Sequence, residues 1–425
     1  MKKVLCLLLA ACMIFALAAC GGNTAAPAAP AAPAAPAAPA AEAPAAAGGA
    51  LKVWVPEATV DFTKAQIAAF MEANPQYAGY TVSVEPVGEG DAASNMLTDV
   101  GAGADIFNFA QDQLARLVSA GALIPLSDEN AAIVAAENDA GSVAAATMAG
   151  TTYAYPLTSD NGYFLYYDKS VVTDPSSLEA IIADCEAAGK GFYMEINSGW
   201  YQPAFFFGAG CTLTYDTDDA GAFTKCNIDY ASDKGVAALK AMINLHKSKA
   251  FFNGSSVSNA TNCAAIVDGT WDSGAAKELF GDNYACAKLP TIDVNGTPSQ
   301  MSGFGGFKLL GVKPQTDADK LELCDALALY LASGEVQIAR YNAVGWGPSN
   351  VEAKADPAVQ ADEALSALGE QLAFTIPQGQ YPGDYWGLAT ALGDSVIAGE
   401  YDSADDAALL AALQNFQDTC ISYAK

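Results

Sequence analysis

Leu51-Lys52-Val53-Trp54-Val55 opens the stretch whose reading decides the fold. It alternates like a strand, and residues 61–74 then place Ile67, Phe70 and Met71 at helical spacing before Pro75 stops the helix. Tyr80-Thr81-Val82-Ser83-Val84 reads as a second strand, and after a short helical stretch Asp105-Ile106-Phe107-Asn108-Phe109 reads as a third. Strand, helix, strand, helix, strand predicts an α/β fold with a mostly parallel sheet and helices on both faces. Further along, the spacing predicts helices over 235–247, 317–332 and 385–398, and a strand over 264–267. Residues 211–215 and 223–226 flank the turn 216–221 as a hairpin. A body of roughly 375 residues exceeds what one such sheet usually takes, so two α/β lobes are expected.

Upstream of this body, Met1-Lys2-Lys3 is a short positive start to the apolar run 4–17, too short for a membrane span and right for a signal peptide. The run ends in Leu17-Ala18-Ala19-Cys20, which resembles the bacterial lipobox, in which the cysteine is lipidated and becomes the mature N-terminus. That assigns 1–19 to a lipoprotein signal peptide and Cys20 to lipidation. From residue 20 to 50 the chain is mainly Ala and Pro, with prolines at 27, 30, 33, 36 and 39. Such a repeat builds no core and favours polyproline II, so it reads as a tether that reaches at most roughly 80 Å. The expected location is the extracellular face of the cell membrane, held by lipid.

Composition excludes several function classes. The 425 residues carry 20 Lys and Arg against 48 Asp and Glu, a net charge of −28, or −30 once Lys2 and Lys3 leave with the leader. A chain of that charge repels phosphate backbones, so no nucleic-acid partner is expected. His246 is the single histidine, which rules out a Ser-His-Asp triad built elsewhere and any multi-histidine metal site; no metal or cofactor is expected. No Walker-type phosphate loop occurs, so any ATPase is another chain. Seven cysteines follow the anchor, and Cys211 with Cys226 faces across the hairpin as a disulfide candidate, with Cys263 and Cys286 a weaker pair. The same cysteines also read as small buried hydrophobes, and the sequence leaves both readings open.

Six short motifs then follow one another in order: Lys52-Val53-Trp54-Val55; Gly103-Ala104-Asp105-Ile106-Phe107-Asn108-Phe109-Ala110-Gln111-Asp112; Tyr153-Ala154-Tyr155-Pro156 followed by Leu165-Tyr166-Tyr167-Asp168-Lys169; Ala265-Ile266-Val267-Asp268-Gly269-Thr270-Trp271; Leu289-Pro290; and Ile376-Pro377 before Tyr385-Trp386. Taken together, from Leu51 to the C-terminus, this order resembles the extracellular solute-binding proteins of ABC importers, in particular the maltodextrin-binding type. The resemblance implies a two-lobed periplasmic-binding-protein-like fold of type II, with the ligand cleft between lobes joined by a hinge. Carried over, the first lobe is 51–158 plus 305–347 and the second 159–304 plus 348–425. Gly303-Phe304-Gly305-Gly306 and Gly345-Trp346-Gly347-Pro348 then lie at lobe crossings, with Trp346 read as packing.

A pyranose has apolar C–H faces and a fringe of hydroxyls, so its site needs aromatic planes together with carboxylates or amides. By resemblance, Trp271 and Trp386 are stacking platforms, Tyr385 stands beside the second, and Trp200 is a third aromatic. Core packing is the plain reading of Trp271. Asp112 and Asp160 match family carboxylates, while a helix cap and an exposed turn acid are their plain readings. Glu57, after the first strand, is a further candidate with a surface loop as its alternative. Phe109 and Gln113 complete the ligand-binding set, although the family carries tryptophan and arginine there; Ala104 likewise replaces its usual proline.

The function implied is a lipid-anchored, non-enzymatic, monomeric receptor that closes on an oligosaccharide and delivers it to the transmembrane permease subunits of an ABC importer with a separate cytosolic ATPase. Two alternatives stay open at this point. One is a receptor for a non-sugar solute, such as a polyamine, which the acidity would suit, or a ferric complex. The other is an exported glycoside hydrolase, which needs two carboxylates about 5 to 10 Å apart.

Overall fold

A computed structural model describes residues 48–424. The signal peptide, Cys20 and the tether up to residue 47 lie outside the described residues. Strand β1 (Gly48–Val55) begins earlier than Leu51, taking in the end of the expected tether. Its alternation works as the period of a strand requires. Leu51, Val53 and Val55 enter one apolar cluster with Ile67 and Phe70 of the helix Val60–Ala73 and with Leu323, Leu327 and Leu331 of the helix Ala318–Leu331. Trp54 points the other way, into a second cluster with Met96, Phe107 and Phe109. Helices therefore cover both faces.

Strands β2 (Gly79–Pro86) and β3 (Ile106–Ala110) run parallel to β1 on either side of it, and β4 (Ala154–Asn161) completes the first pass through this sheet. The chain then crosses to a second sheet. There β5 (Phe164–Asp168), β6 (Gly191–Tyr193), β7 (Phe251–Phe252), β8 (Cys263–Asp268) and β9 (Tyr284–Ala287) lie in the order β7-β6-β8-β5-β9. The second sheet also has two apolar faces, one with Leu165 and Val267 and one with Phe164, Tyr166 and Ile266. β10 (Phe304–Val312) returns to the first sheet between β3 and β4, antiparallel to both, and β11 (Ile376–Pro377) pairs parallel to its start. The first sheet is thus mixed, not mostly parallel. β10 arrives from the other sheet rather than through a helical crossover, so nothing imposes the parallel direction on it.

The expected helices form as Asp233–His246, Ala318–Leu331 and Gly383–Ile397. Ser232 and Asp317 cap the first two by accepting from backbone N–H groups of the first turn. The hairpin forms as Leu213–Thr217 and Phe223–Ile228. Its register places Cys226 opposite Tyr215 rather than opposite Cys211, and all seven described cysteines are free thiols. The Cys211–Cys226 disulfide is therefore not formed. An offset of four residues along a strand is about 13 Å, well past the roughly 7 Å between Cα atoms that a disulfide can span.

Three segments pass between the sheets, and they are tied to each other. Asp160 Oδ2, at the end of β4, accepts from Thr270 Oγ1 at 2.5 Å and from the Gly347 N–H at 2.5 Å. Ser159 N donates to Gly347 O at 3.1 Å. Just before β10, Gly303 has φ +142°, and a Cβ there would fall 2.6 Å from the Tyr163 hydroxyl, so only glycine fits this crossing. Among the described residues no helix is long and apolar enough to cross a membrane, and no group of three or more His, Cys, Asp or Glu is placed to hold a metal ion.

Candidate functional site

A cavity of about 440 Å³ opens where the carboxyl ends of β1, β2 and β3 face the second sheet. That is where open α/β sheets bind ligands, because loops there face outward and the strands end in free backbone groups. From the first sheet come Pro56 and Ala58 after β1, Glu89 and Gly90 after β2, and Ala110, Asp112 and Gln113 at the end of β3. The opposite wall carries Trp200, Trp271, Asp272 and Trp386. Asn161, Trp346 and Gln378 complete the lining at the crossings. The chain has five tryptophans, and all but Trp54 line this one cavity. Chance core packing does not concentrate indoles in that way.

Each of these indoles has an identifiable support. Trp271 lies in the single turn of 3-10 helix that follows β8, and its six-membered ring rests on Gly269. A Cβ at Gly269 would come within 2.1 to 2.4 Å of three ring carbons. We expect Gly269→Ala to displace the indole, lowering ligand affinity about 10-fold and shifting tryptophan emission while the helical circular dichroism stays unchanged. The size follows from losing part of one aromatic contact. Trp386 sits in the first turn of the helix Gly383–Ile397, edge-on to Tyr385 with ring centroids 5.0 Å apart. Trp200 stacks on Phe304 at 5.2 Å with planes 26° apart.

The acids and amides form a linked set. Gln378 Nε2 donates to Asp112 Oδ1 at 2.8 Å, and Gln111 Nε2 donates to the Gln378 carbonyl. Asp112 is fully enclosed, and burial pushes its carboxyl up to about 7 against an opposing pull from Arg116. Gln113 accepts from Ala93 N at 2.8 Å and donates to the Glu89 and Gly90 carbonyls at 2.6 and 2.9 Å. It thereby fixes the loop that presents Glu89. Beneath Trp271, Asp268 accepts from Gly269 N at 2.7 Å; burial, reinforced by the nearby Asp272 charge, holds its carboxyl well above the usual range.

Of the residues singled out from sequence, Asp112, Gln113, Trp200, Trp271 and Trp386 come together on the cavity wall. The other four do not line it. Phe109 is buried in the apolar cluster around Met96, where its ring packs on Phe107. Tyr385 is buried, with its hydroxyl donating to Gly199 O at 3.1 Å, so it backs Trp386. Asp160 is a tie between crossings, accepting from Gly347 N and Thr270 Oγ1, and is not among the lining residues. Glu57 is exposed in the turn Glu57–Thr59, between two lining residues. The reading of Trp346 as packing is incomplete: it is 2% exposed, and it also lines the cavity. Glu89, Asn161, Asp272 and Gln378 were missed. For Glu89 the signal was present, since Gly88-Glu89-Gly90-Asp91 directly follows a strand end.

Lys308 was also missed. It is a lone charge in the buried strand β10, with a fully covered side chain. Its Nζ lies 3.9 Å from the Trp346 ring centroid, 4.7 Å from that of Trp271 and 3.2 Å from Glu89 Oε1.

Residues 65–367 match the model of a family described as bacterial extracellular solute-binding protein. The galactooligosaccharide-binding protein of Bacillus subtilis (strain 168) is 24% identical over 420 residues, covering 94% of each chain. A solved structure with acarbose superposes with a TM-score of 0.77 at 27% identity, covering 88% of this chain and 99% of that one. The maltodextrin-binding protein of L. casei BL23, solved without ligand, gives a TM-score of 0.72 at 24% identity, with 88% and 99% covered. These structures share the two-lobed architecture described above. Together with the two sheets, the tied crossings and the cavity between them, the match over residues 65–367 decides the family: the chain belongs to the bacterial extracellular solute-binding proteins.

Proposed function

We propose that the protein is the receptor of an ABC importer and that its solute is an oligosaccharide. The observation that carries this reading is the convergence of four indoles and a carboxylate-amide fringe on one cavity. Indole planes match the C–H faces of pyranoses, while Asp112, Gln378, Asn161 and Glu89 offer acceptors and donors to hydroxyls. Relatives named for galactooligosaccharide and maltodextrin, and one solved with acarbose, support the same class. Trp271 and Trp386 act as platforms, Trp200 extends them, and Asp112 is the central acceptor. Closure brings 51–158 plus 305–347 onto 159–304 plus 348–425, because only the closed state lets one ligand touch both walls. The receptor works as a monomer tethered through Cys20 to the outer face of the membrane. It hands intact sugar to the permease subunits and hydrolyses none.

Thermal unfolding and tryptophan emission of the purified protein, followed against linear glucans, galactooligosaccharides, polyamines and ferric chelates, test this. A bound sugar at about 100 times its dissociation constant stabilises the fold by about 2.7 kcal/mol. The expected result is such a shift from one oligosaccharide class, insensitive to salt and without consumption of the sugar. A salt-sensitive response to polyamines alone would overturn the sugar assignment.

A further inference from the structure

Lys308 presents an arrangement that sugar binding does not by itself require. The backbone of β10 is fixed on both sides at this residue, by Ala110 of β3 and Thr158 of β4. From that anchor the side chain reaches a fully covered position between two indoles, 3.9 and 4.7 Å from their centroids. The Glu89 carboxylate is 3.2 Å away but off the hydrogen-bonding direction, and Nζ has no hydrogen-bond partner among the described residues. An ammonium held by aromatic faces and one carboxylate is the geometry of an aromatic cage, the device that recognises alkylammonium ligands. Here the cation belongs to the chain itself. The cage draws on every part of the cleft: Glu89 follows β2, Trp346 lies on the last crossing, and Trp271 follows β8 of the second sheet.

We propose that Lys308 is a positioning and specificity-determining residue of the cleft, occupying an alkylammonium cage made by Trp271, Trp346 and Glu89. Two consequences follow from the geometry. The ammonium fixes the tilt of both indoles through a charge-dependent contact, so that Trp271 presents a set face to the ligand. It also fills a place in the cleft that would otherwise favour a cation, which biases the site towards neutral solutes despite the acids around it. The first consequence rests on the oligosaccharide reading; the second stands without it.

The test uses the full chain and three variants. Lys308→Ala empties the cage, and n-propylammonium chloride, which matches the three carbons and ammonium removed beyond Cβ, is the probe. The expected result is a saturable change in tryptophan emission and a rise in Tm with n-propylammonium, seen in Lys308→Ala but not in the wild type, with sodium chloride at equal ionic strength as control. A folded Lys308→Ala protein that shows no saturable response overturns the cage.

Lys308→Met keeps the length without the charge, and Lys308→Arg keeps the charge. We expect Lys308→Met to shift the unliganded emission and to weaken maltotriose binding at least 10-fold, with Lys308→Arg restoring most of both. Unchanged emission and affinity in Lys308→Met would refute the positioning role, and would do so even if Lys308→Ala fails to fold. If neither maltotriose nor a galactooligosaccharide binds the wild type, the solute assignment is at fault, and the n-propylammonium arm still decides the cage.

Discussion

Replacing Trp271 with alanine is expected to weaken oligosaccharide binding by about 100-fold, and replacing Trp386 by at least about 10-fold. Tenfold corresponds to about 1.4 kcal/mol, so these losses are about 2.7 and 1.4 kcal/mol, within the range by which aromatic anchors dominate binding energy. Trp271 is assigned the larger loss because its ring has fixed supports on two sides, Gly269 beneath it and the Lys308 ammonium beside it. A platform already held in place loses little entropy when a sugar settles on it. Both indoles are only partly buried, so truncation removes binding surface more than core. Isothermal calorimetry on each variant and on the double variant reads the result. The two losses should combine non-additively, since both rings act on one ligand. Wild-type affinity in Trp271→Ala would remove the platform from the site.

Binding is expected to tighten as pH rises from 6 to 8, by up to about 10-fold, and Asp112 is the group responsible. Its carboxyl is held up to about 7 by burial, against a usual value of 3.8. The sign follows directly. Between those two values the folded chain holds a proton that the unfolded chain has released, so stability is greatest at the acid end of the window and declines as pH rises through it. That decline is on the order of a few kcal/mol for a shift of about three pH units. Ligand hydroxyls donating to Asp112 favour the carboxylate, so a sugar bound near pH 7 expels the proton. Calorimetry in two buffers of different ionisation enthalpy should show heats that differ by the proton released, and Asp112→Asn should abolish the difference. Buffer-independent heats in the wild type would mean that Asp112 is not an acceptor for the ligand.

The fold was legible because its first strands carry clear periods. Leu51, Val53 and Val55 against Trp54 announce a strand with both faces covered, and Ile67 and Phe70 announce the helix that covers one of them. The mixed direction of the first sheet was not legible, because the pairing of β10 depends on a chain that leaves for the second sheet and returns. Strand-end logic served Asp112 and Trp271, which lie just past β3 and β8, and would have served Glu89. It failed for Phe109 and Asp160. Those residues end their strands on the inner side, where period 2 turns a side chain towards the core or the crossings. Lys308 meets Trp346, Trp271 and Glu89 across roughly 40 to 220 positions, and no local pattern carries that information. The one local trace of Lys308 was a charge inside the apolar run Phe304–Val312.

The unbridged cysteines give the molecule a particular kind of durability. Cys185, Cys211, Cys263, Cys324 and Cys420 are buried, and burial pushes their thiols up to about 11 or 12. Thiolate, not thiol, reacts with oxidants and electrophiles. In an oxidising milieu these sulfurs are therefore protected only while the structure stays shut, and their chemical lifetime is set by how often each region opens. Cys324 packs on the first sheet, while Cys185 and Cys420 pack on the second. Modification at Cys324 therefore reports opening around the first sheet, and modification at Cys185 or Cys420 reports opening around the second.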